Sequence, residues 1–298
     1  MSQMRSVVVT GAGVTEVLDV VRPTPGPTDA LLKVRACGIC GSDAMYIQIG
    51  GIPPRQGATP LGHEIAGEIV EVGGHVRDLH VGDHVVVNPM AAATGFIGNG
   101  GATGGLADYV LIDNAELGRS VAIVPAHIPW EVAALNEPMA VARHAVNRAN
   151  PVSGERAVVF GAGPIGLGAL IDLSLRGVDT VVIDVQPSRL AKALEIGAQA
   201  VIETVQKIAK HGARLSIPAV HKKPVEVDFG ALLSTELTIT LSRGYPTEIF
   251  EVTNDIIAAW ERYGQIISHT VPFDRVQEAL TLSMTPGAAD KVVVTFDA

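Results

Sequence analysis

The chain has 298 residues, room for two domains, and with 47% hydrophobic and 18% charged residues it reads as a globular protein able to bury a core. A formal net charge of −9, with His221-Lys222-Lys223 as the densest basic run, argues against a nucleic-acid surface, which needs clustered Lys and Arg to neutralise phosphates. No apolar run approaches the roughly 18–20 residues of a membrane span, the opening MSQMRSVVVT has no signal-peptide core, and two cysteines make no disulfide framework, so we expect a cytoplasmic protein.

Residues 1–125 hold β-branched runs separated by Gly and Pro. Ser6–Thr10, Leu31–Ala36, His63–Val72, His84–Pro89 and Tyr109–Ile112 read as strands, divided by turn signals such as PTPGPTD, VGGH and VGDH. The Gly- and Ala-rich stretch 91–105 reads as loop. From Trp130 to Ala149 the spacing becomes helical, with Glu137 and Pro138 interrupting it. A strand–helix alternation follows: strand Ala157–Phe160, helix Pro164–Arg176, strand Thr180–Ile183 and helix Ser188–Ile196. This pattern predicts a parallel sheet flanked by helices. Further on, residues 204–212 read as helix, 213–220 and 236–242 as strands, and Thr247–Tyr263 as helix. The segment 267–296 returns to mixed strand and helix.

Two local patterns carry chemistry. The first is Cys37-Gly-Ile-Cys40-Gly-Ser42-Asp43, followed by Gly62-His63-Glu64. Cys40 offers a thiolate, His63 an imidazole and Glu64 a carboxylate, and Glu137 offers a second carboxylate; a catalytic zinc takes such donors and keeps one position open. A Cys-x-x-Cys by itself is equally compatible with half of a structural zinc site or a redox pair. The second pattern is Gly161-Ala-Gly163-Pro164-Ile165-Gly166, between a strand and a helix. In that context the first Gly permits the tight turn, the second lets backbone approach a pyrophosphate, and the third permits close helix–strand packing. The pyrophosphate then sits at the helix N-terminus. Asp184, ending the next strand, suits the ribose hydroxyls and disfavours a 2′-phosphate, which favours NAD; Arg189 nearby keeps NADP as the lesser alternative.

Together, CGICGSD and GHEIAGEIVEVG resemble the zinc-dependent medium-chain dehydrogenase/reductase (alcohol dehydrogenase) family, and more closely its polyol-, sorbitol- and butanediol-dehydrogenase-like branch. The resemblance implies an α/β protein: a GroES-like β-rich catalytic domain over 1–146, completed by 266–298, and a doubly wound Rossmann domain over 147–265. It implies one catalytic zinc held by Cys40 and His63, with Glu64 as third ligand or a carboxylate exchanging with water, while Cys37 is no ligand. Glu137, in Asn-Glu-Pro, matches a Glu-Pro position at the metal. Asp43 would orient His63 through its ring N–H, and Ser42 would begin proton removal. Relatives often continue that relay with a histidine three residues on; here the position is Met45. The implied reaction is hydride transfer between NAD and a secondary alcohol or ketone, with polyols or vicinal diols ahead of simple alcohols or threonine. The implied assembly is a homodimer or homotetramer. His144 reads as structural.

Two departures stand out. A four-cysteine lobe that holds a structural zinc in relatives has no counterpart after Asn88, so no structural zinc of that type is expected. Between Ile202 and Thr204 a helix and a central strand of the expected sheet are missing, which would open the sheet and part of the cofactor crevice. We expect omitted segments at both places. A non-catalytic nucleotide-binding protein is the alternative that the second departure and Met45 favour.

Overall fold

A computed structural model describes residues 2–52, 57–198, 200–202, 210–219, 224, 233 and 236–297. They form two compact units, Met1–Glu137 with Thr253–Ala298, and Pro138–Val252.

In the first unit β1 (Gln3–Gly11), β2 (Val14–Val21) and β4 (Thr59–Pro60) make a small antiparallel sheet. The larger sheet contains β3 (Ala30–Gly38), β5 (Glu64–Val72), β6 (His84–Val87), β7 (Tyr109–Ile112), β8 (Val121–Ile123), β14 (Ile267–Pro272) and β15 (Lys291–Thr295). Its order is β14-β15-β3-β5-β6-β8, with β7 also on β3. Strand β3 pairs with β5 along one edge and with β7 and β15 along the other, and its Leu31, Leu32, Val34, Ala36 and Cys37 are fully buried. Leu32, Val34 and Cys37 pack with Val7, Ile65, Ile69, Val85, Leu106, Val110 and Val294 into one core. Each such aliphatic side chain contributes about 1.5–3 kcal/mol by leaving water.

The stretch after β6, where a lobe is missing, closes on itself. Asn88 caps a short turn at Pro89–Ala91 by accepting from the Met90 amide, and the amides of Ile97, Gly98 and Gly101 donate to Pro89, Thr103 and Phe96.

Helix α1 (Gly41–Ile49) follows β3, and α2 (Trp130–Ala133) precedes α3 (Asn136–Ala149). The interruption expected at Glu137 and Pro138 falls earlier, at Ala134–Leu135. Pro138 lies in the first turn of α3, where its missing N–H has no intrahelical acceptor to lose.

The second unit begins its alternation with β9 (Arg156–Phe160), α4 (Pro164–Leu175), β10 (Asp179–Ile183), α5 (Pro187–Ile196) and β11 (Ala200–Ile202), giving a parallel sheet β11-β10-β9. Strands β12 (Arg214–Ile217) and β13 (Thr238–Leu241) form a separate parallel pair. Among the described residues no strand joins β9 to β12. The split falls where the sequence lacks a helix–strand unit, and Phe160, at the end of β9, is 52% exposed. Of the expected helix 204–212, residues 204–209 lie outside the described residues. The helix expected from Thr247 begins as α6 (Glu251–Ala258), after a turn at 246–250, and is followed by α7 (Trp260–Gly264) and α8 (Val276–Met284).

A chain of polar contacts ties α3 to α4 and to the 246–250 turn. Asp172 receives Arg143 at 2.7 Å and Arg176 at 2.8 Å, Arg176 donates to Asn147, and Asn147 donates to Glu248. Glu248 also meets His144 Nδ1 at 2.8 Å, so His144 belongs to this network. Burial alone would raise the Glu248 pKa, but the hydrogen bonds from His144, Asn147 and the Thr247 amide bring it down to about 2.

Candidate metal centre and nucleotide turn

Cys40 is the residue that caps α1, in extended conformation (φ −97°, ψ 156°). Asp43, three residues on, returns its Oδ2 to the Cys40 amide at 2.9 Å, the reciprocal half of a capping box. The Cys-Gly-Ser-Asp spacing is thus a helix start that presents the thiol. His63 and Glu64 stand at the beginning of β5, and Gly62 before them has φ +88°. A Cβ on Gly62 would lie 2.6 Å from the Leu106 amide nitrogen, so only glycine fits there. The Gly-rich loop packs from the other side. Gly105 donates to the Gly62 carbonyl at 2.7 Å, and Phe96 sets its ring edge-on to His63 with centroids 6.1 Å apart.

One ligand atom each from Cys40, His63 and Glu64 lies within 4.8 Å of the others. His63 is 3% and Glu64 1% exposed. Glu137, buried in the first turn of α3, lies outside that group of three, yet its charge acts on both His63 and Lys291. Asp43 departs from expectation. Its Oδ1 stands 3.8 Å from His63 Nδ1, an ion-pair distance too long for the expected hydrogen bond. The carboxylate instead accepts from the amides of Cys40 and Gly62, and so clamps the two segments that carry the candidate ligands. The Ser42 hydroxyl is buried with no hydrogen-bond partner, and Met45, 38% exposed, is three residues on.

The electrostatics suit a cation. Burial raises the Asp43 pKa, while His63 and the two amides oppose that rise. Burial would lower the His63 pKa, but Asp43, Cys40 and Glu137 hold it well above the usual imidazole value. Burial first, then Asp43 and Glu64, push the Cys37 thiol well above its usual value, which suits an inert core thiol. A half-buried thiol with a buried imidazole and carboxylate fits zinc. Lys291, at the head of β15, was not among the expected residues: it pairs with Glu64 and is 3% exposed. A lysine directly ahead of the apolar run Val292–Val294 was the signal.

In the second unit Gly161 has φ +97° and its amide donates to Ile183 at 2.7 Å. A Cβ on Gly166 would lie 1.8 Å from the Gly161 carbonyl oxygen, whereas one on Gly163 would meet nothing within 4 Å. The turn is therefore tight at one glycine and open at another, with Gly163 capping α4, Pro164 at its first position and Ile165 following. This is a cradle that a phosphate fits. Asp184 is buried, and its two oxygens accept from the amides of Ala162 and Gln186 at 2.7 and 2.9 Å, which joins the turn to the end of β10. Each oxygen keeps a lone pair for a ribose hydroxyl. Arg189 lies half-buried in α5.

Residues 26–122 match the family described as alcohol dehydrogenase GroES-like domain. The chain is 38% identical over 200 residues to (R,R)-butanediol dehydrogenase of Bacillus subtilis (strain 168), covering 59% of this chain and 56% of that protein. It is 36% identical over 228 residues to sorbitol dehydrogenase of Bos taurus, covering 69% and 63%. The chain thus spans less than two thirds of these curated relatives' length. In three dimensions it resembles the crystal structure of 2R,3R-butanediol dehydrogenase from Bacillus subtilis, with a TM-score of 0.87, 24% identity and coverage of 98% and 99%. This likeness shows the fold: a GroES-like domain with a Rossmann domain. Among the described residues no helix is long and apolar enough to cross a membrane.

Proposed function

The chain belongs to the zinc-dependent medium-chain dehydrogenase/reductase family, in its polyol-dehydrogenase-like branch, and on that premise we propose that it oxidises a secondary alcohol, a polyol or vicinal diol, with NAD. The observation that carries the reading is the convergence of the half-buried Cys40 with the buried His63 and Glu64. We assign residues 1–146 with 266–298 to catalysis and 147–265 to nucleotide binding.

Bound zinc supplies Lewis acidity towards the substrate hydroxyl, and bound NAD supplies the hydride acceptor. Cys40 and His63 would hold the metal, with Glu64 as the third ligand or as a carboxylate exchanging with water, and Glu137 would add negative charge beside them. Asp43 keeps the Cys40 and His63 segments in register through their amides. The unpartnered Ser42 hydroxyl accepts the substrate proton as it gives up its own, and so relays the proton without retaining it. Met45 cannot pass it on, so the proton leaves beside Glu64 or Glu137. Gly161, Gly163 and Gly166 seat the pyrophosphate and Asp184 the adenosine ribose. We expect a homodimer or homotetramer in the cytoplasm, assembled through β13, whose outer edge has no strand partner among the described residues.

Zinc analysis with alcohol-dependent NAD reduction tests this. One zinc per chain and activity on 2,3-butanediol or sorbitol ahead of propan-2-ol and threonine are expected. Cys40→Ala and His63→Ala should abolish both metal and turnover. Full activity without metal overturns the reading. The split sheet favours a second reading, a nucleotide-binding protein without catalysis, which predicts nucleotide binding with no alcohol-dependent reduction.

A further inference from the structure

Lysine is almost never buried without a partner, and the positions following Lys291 on β15 are the plain apolar residues Val292, Val293 and Val294. A buried ammonium here therefore answers to something specific. Its Nζ donates to the Ile39 carbonyl at 3.0 Å and pairs with Glu64 Oε2. Ile39 precedes Cys40 and Glu64 follows His63, so one side chain grips both segments that carry the candidate ligands.

Strand pairing delivers it. Gly38 on β3 sits between Glu64 on β5 and Val293 on β15, and the Ile39 amide donates to Val292 at 3.0 Å. Gly38 leaves the necessary room: a Cβ there would lie 1.9 Å from Glu64 Oε2 and 3.1 Å from Lys291 Cε. The pair thus occupies space that the motif glycine keeps clear.

We propose that Lys291 is a positioning residue that shares the Glu64 carboxylate with the metal, holding it back from full ligation and so keeping a coordination position open for substrate. The proposal rests on the metal-centre reading above. Two physical effects act in the same direction. A fixed cation beside the cluster repels a bound cation. It also competes for the carboxylate that would otherwise have the metal as its one strong partner. Catalytic zinc sites depend on such an open position, which a Glu64 carboxylate bound through both oxygens beside Cys40 and His63 would fill.

The test uses the full chain loaded with Zn²⁺ and titrated against a chelator, with Co²⁺ as a spectroscopic probe. Lys291→Met and Lys291→Gln should each bind Zn²⁺ about tenfold more tightly, opposite in sign to the roughly 10–100-fold loss that follows removal of a partner that orients a ligand towards the metal. Their Co²⁺ absorption should weaken as coordination rises, and kcat should fall. Lys291→Arg, which keeps the charge, should retain the original affinity. Lys291→Gln keeps donors for Ile39 and Glu64, so it serves if the Met variant does not fold. Unchanged or weaker Zn²⁺ binding in the folded neutral variants overturns the proposal. So does a Lys291→Arg shift as large as that of Lys291→Met, which would mark a packing effect. If the unmutated chain binds no metal, the metal-centre reading itself fails, and this proposal with it.

Discussion

The two units place similar motifs in different settings. In the first, β5 lies between β3 and β6, and β3 between β5 and its partners β7 and β15, so the segments around Cys40, His63 and Glu64 rest on paired, buried strands. In the second, β9 and β12 each end a sheet among the described residues. The glycine turn is nevertheless well formed, because its hydrogen bonds run between residues 160 and 186 and do not involve the next strand of the sheet. A local nucleotide motif survives the loss of a neighbour; the crevice beside it is a property of the whole sheet.

The comparison can be tested at several points. The largest effect should come from the first unit. Ser42→Ala should slow turnover by the roughly 10²–10⁴ of lost acid–base help while zinc content stays constant. An unchanged rate would remove Ser42 from proton transfer.

The glycine turn supplies the next test. Gly166→Ala drives a methyl against the Gly161 carbonyl and should destabilise the protein by about 1–3 kcal/mol, read as a lower thermal midpoint. Gly163→Ala meets open space, so the midpoint should hold while NAD affinity falls. Equal effects on stability would contradict this account of the turn.

Amide exchange addresses the sheets directly. Amides of β9 and β12 should exchange at least about tenfold faster than those of β3 and β5, because opening an unpaired edge exposes less buried surface. Equal protection would mean that the second unit is closed in solution.

The smallest effect concerns acid. Glu248 is held at about 2 against an ordinary 4.5, so its network stabilises the fold fully above pH 4.5 and progressively less as pH falls towards 2. Urea unfolding followed from pH 6 to pH 3 should show that loss, and Glu248→Gln should flatten it. An identical slope in the variant would exclude Glu248 as its source.

Much of this was legible in the chain. Cys40 and Asp43 form a helix cap within four residues, and Gly161, Gly163 and Gly166 form a turn within six, so chemistry and geometry are encoded together. The strands of the first unit showed in their β-branched runs. The break before α3 lies at Ala134–Leu135 and not at Pro138, because Pro138 is tolerated in a first turn as readily as it ends a helix.

The sequence by itself determined the local devices and, through them, the family. Only the tertiary structure decided which distant groups share their surroundings. Asp43 reaches Gly62 across 19 positions, Asn147 reaches Glu248 across 101, and Lys291 reaches Ile39 across 252. No periodicity records such separations. The contacts at Gly62 and Ile39 follow from strand pairing that sets β15 beside β3 and β5 along the other edge of β3, and all three from the cost of burying a polar group without a partner.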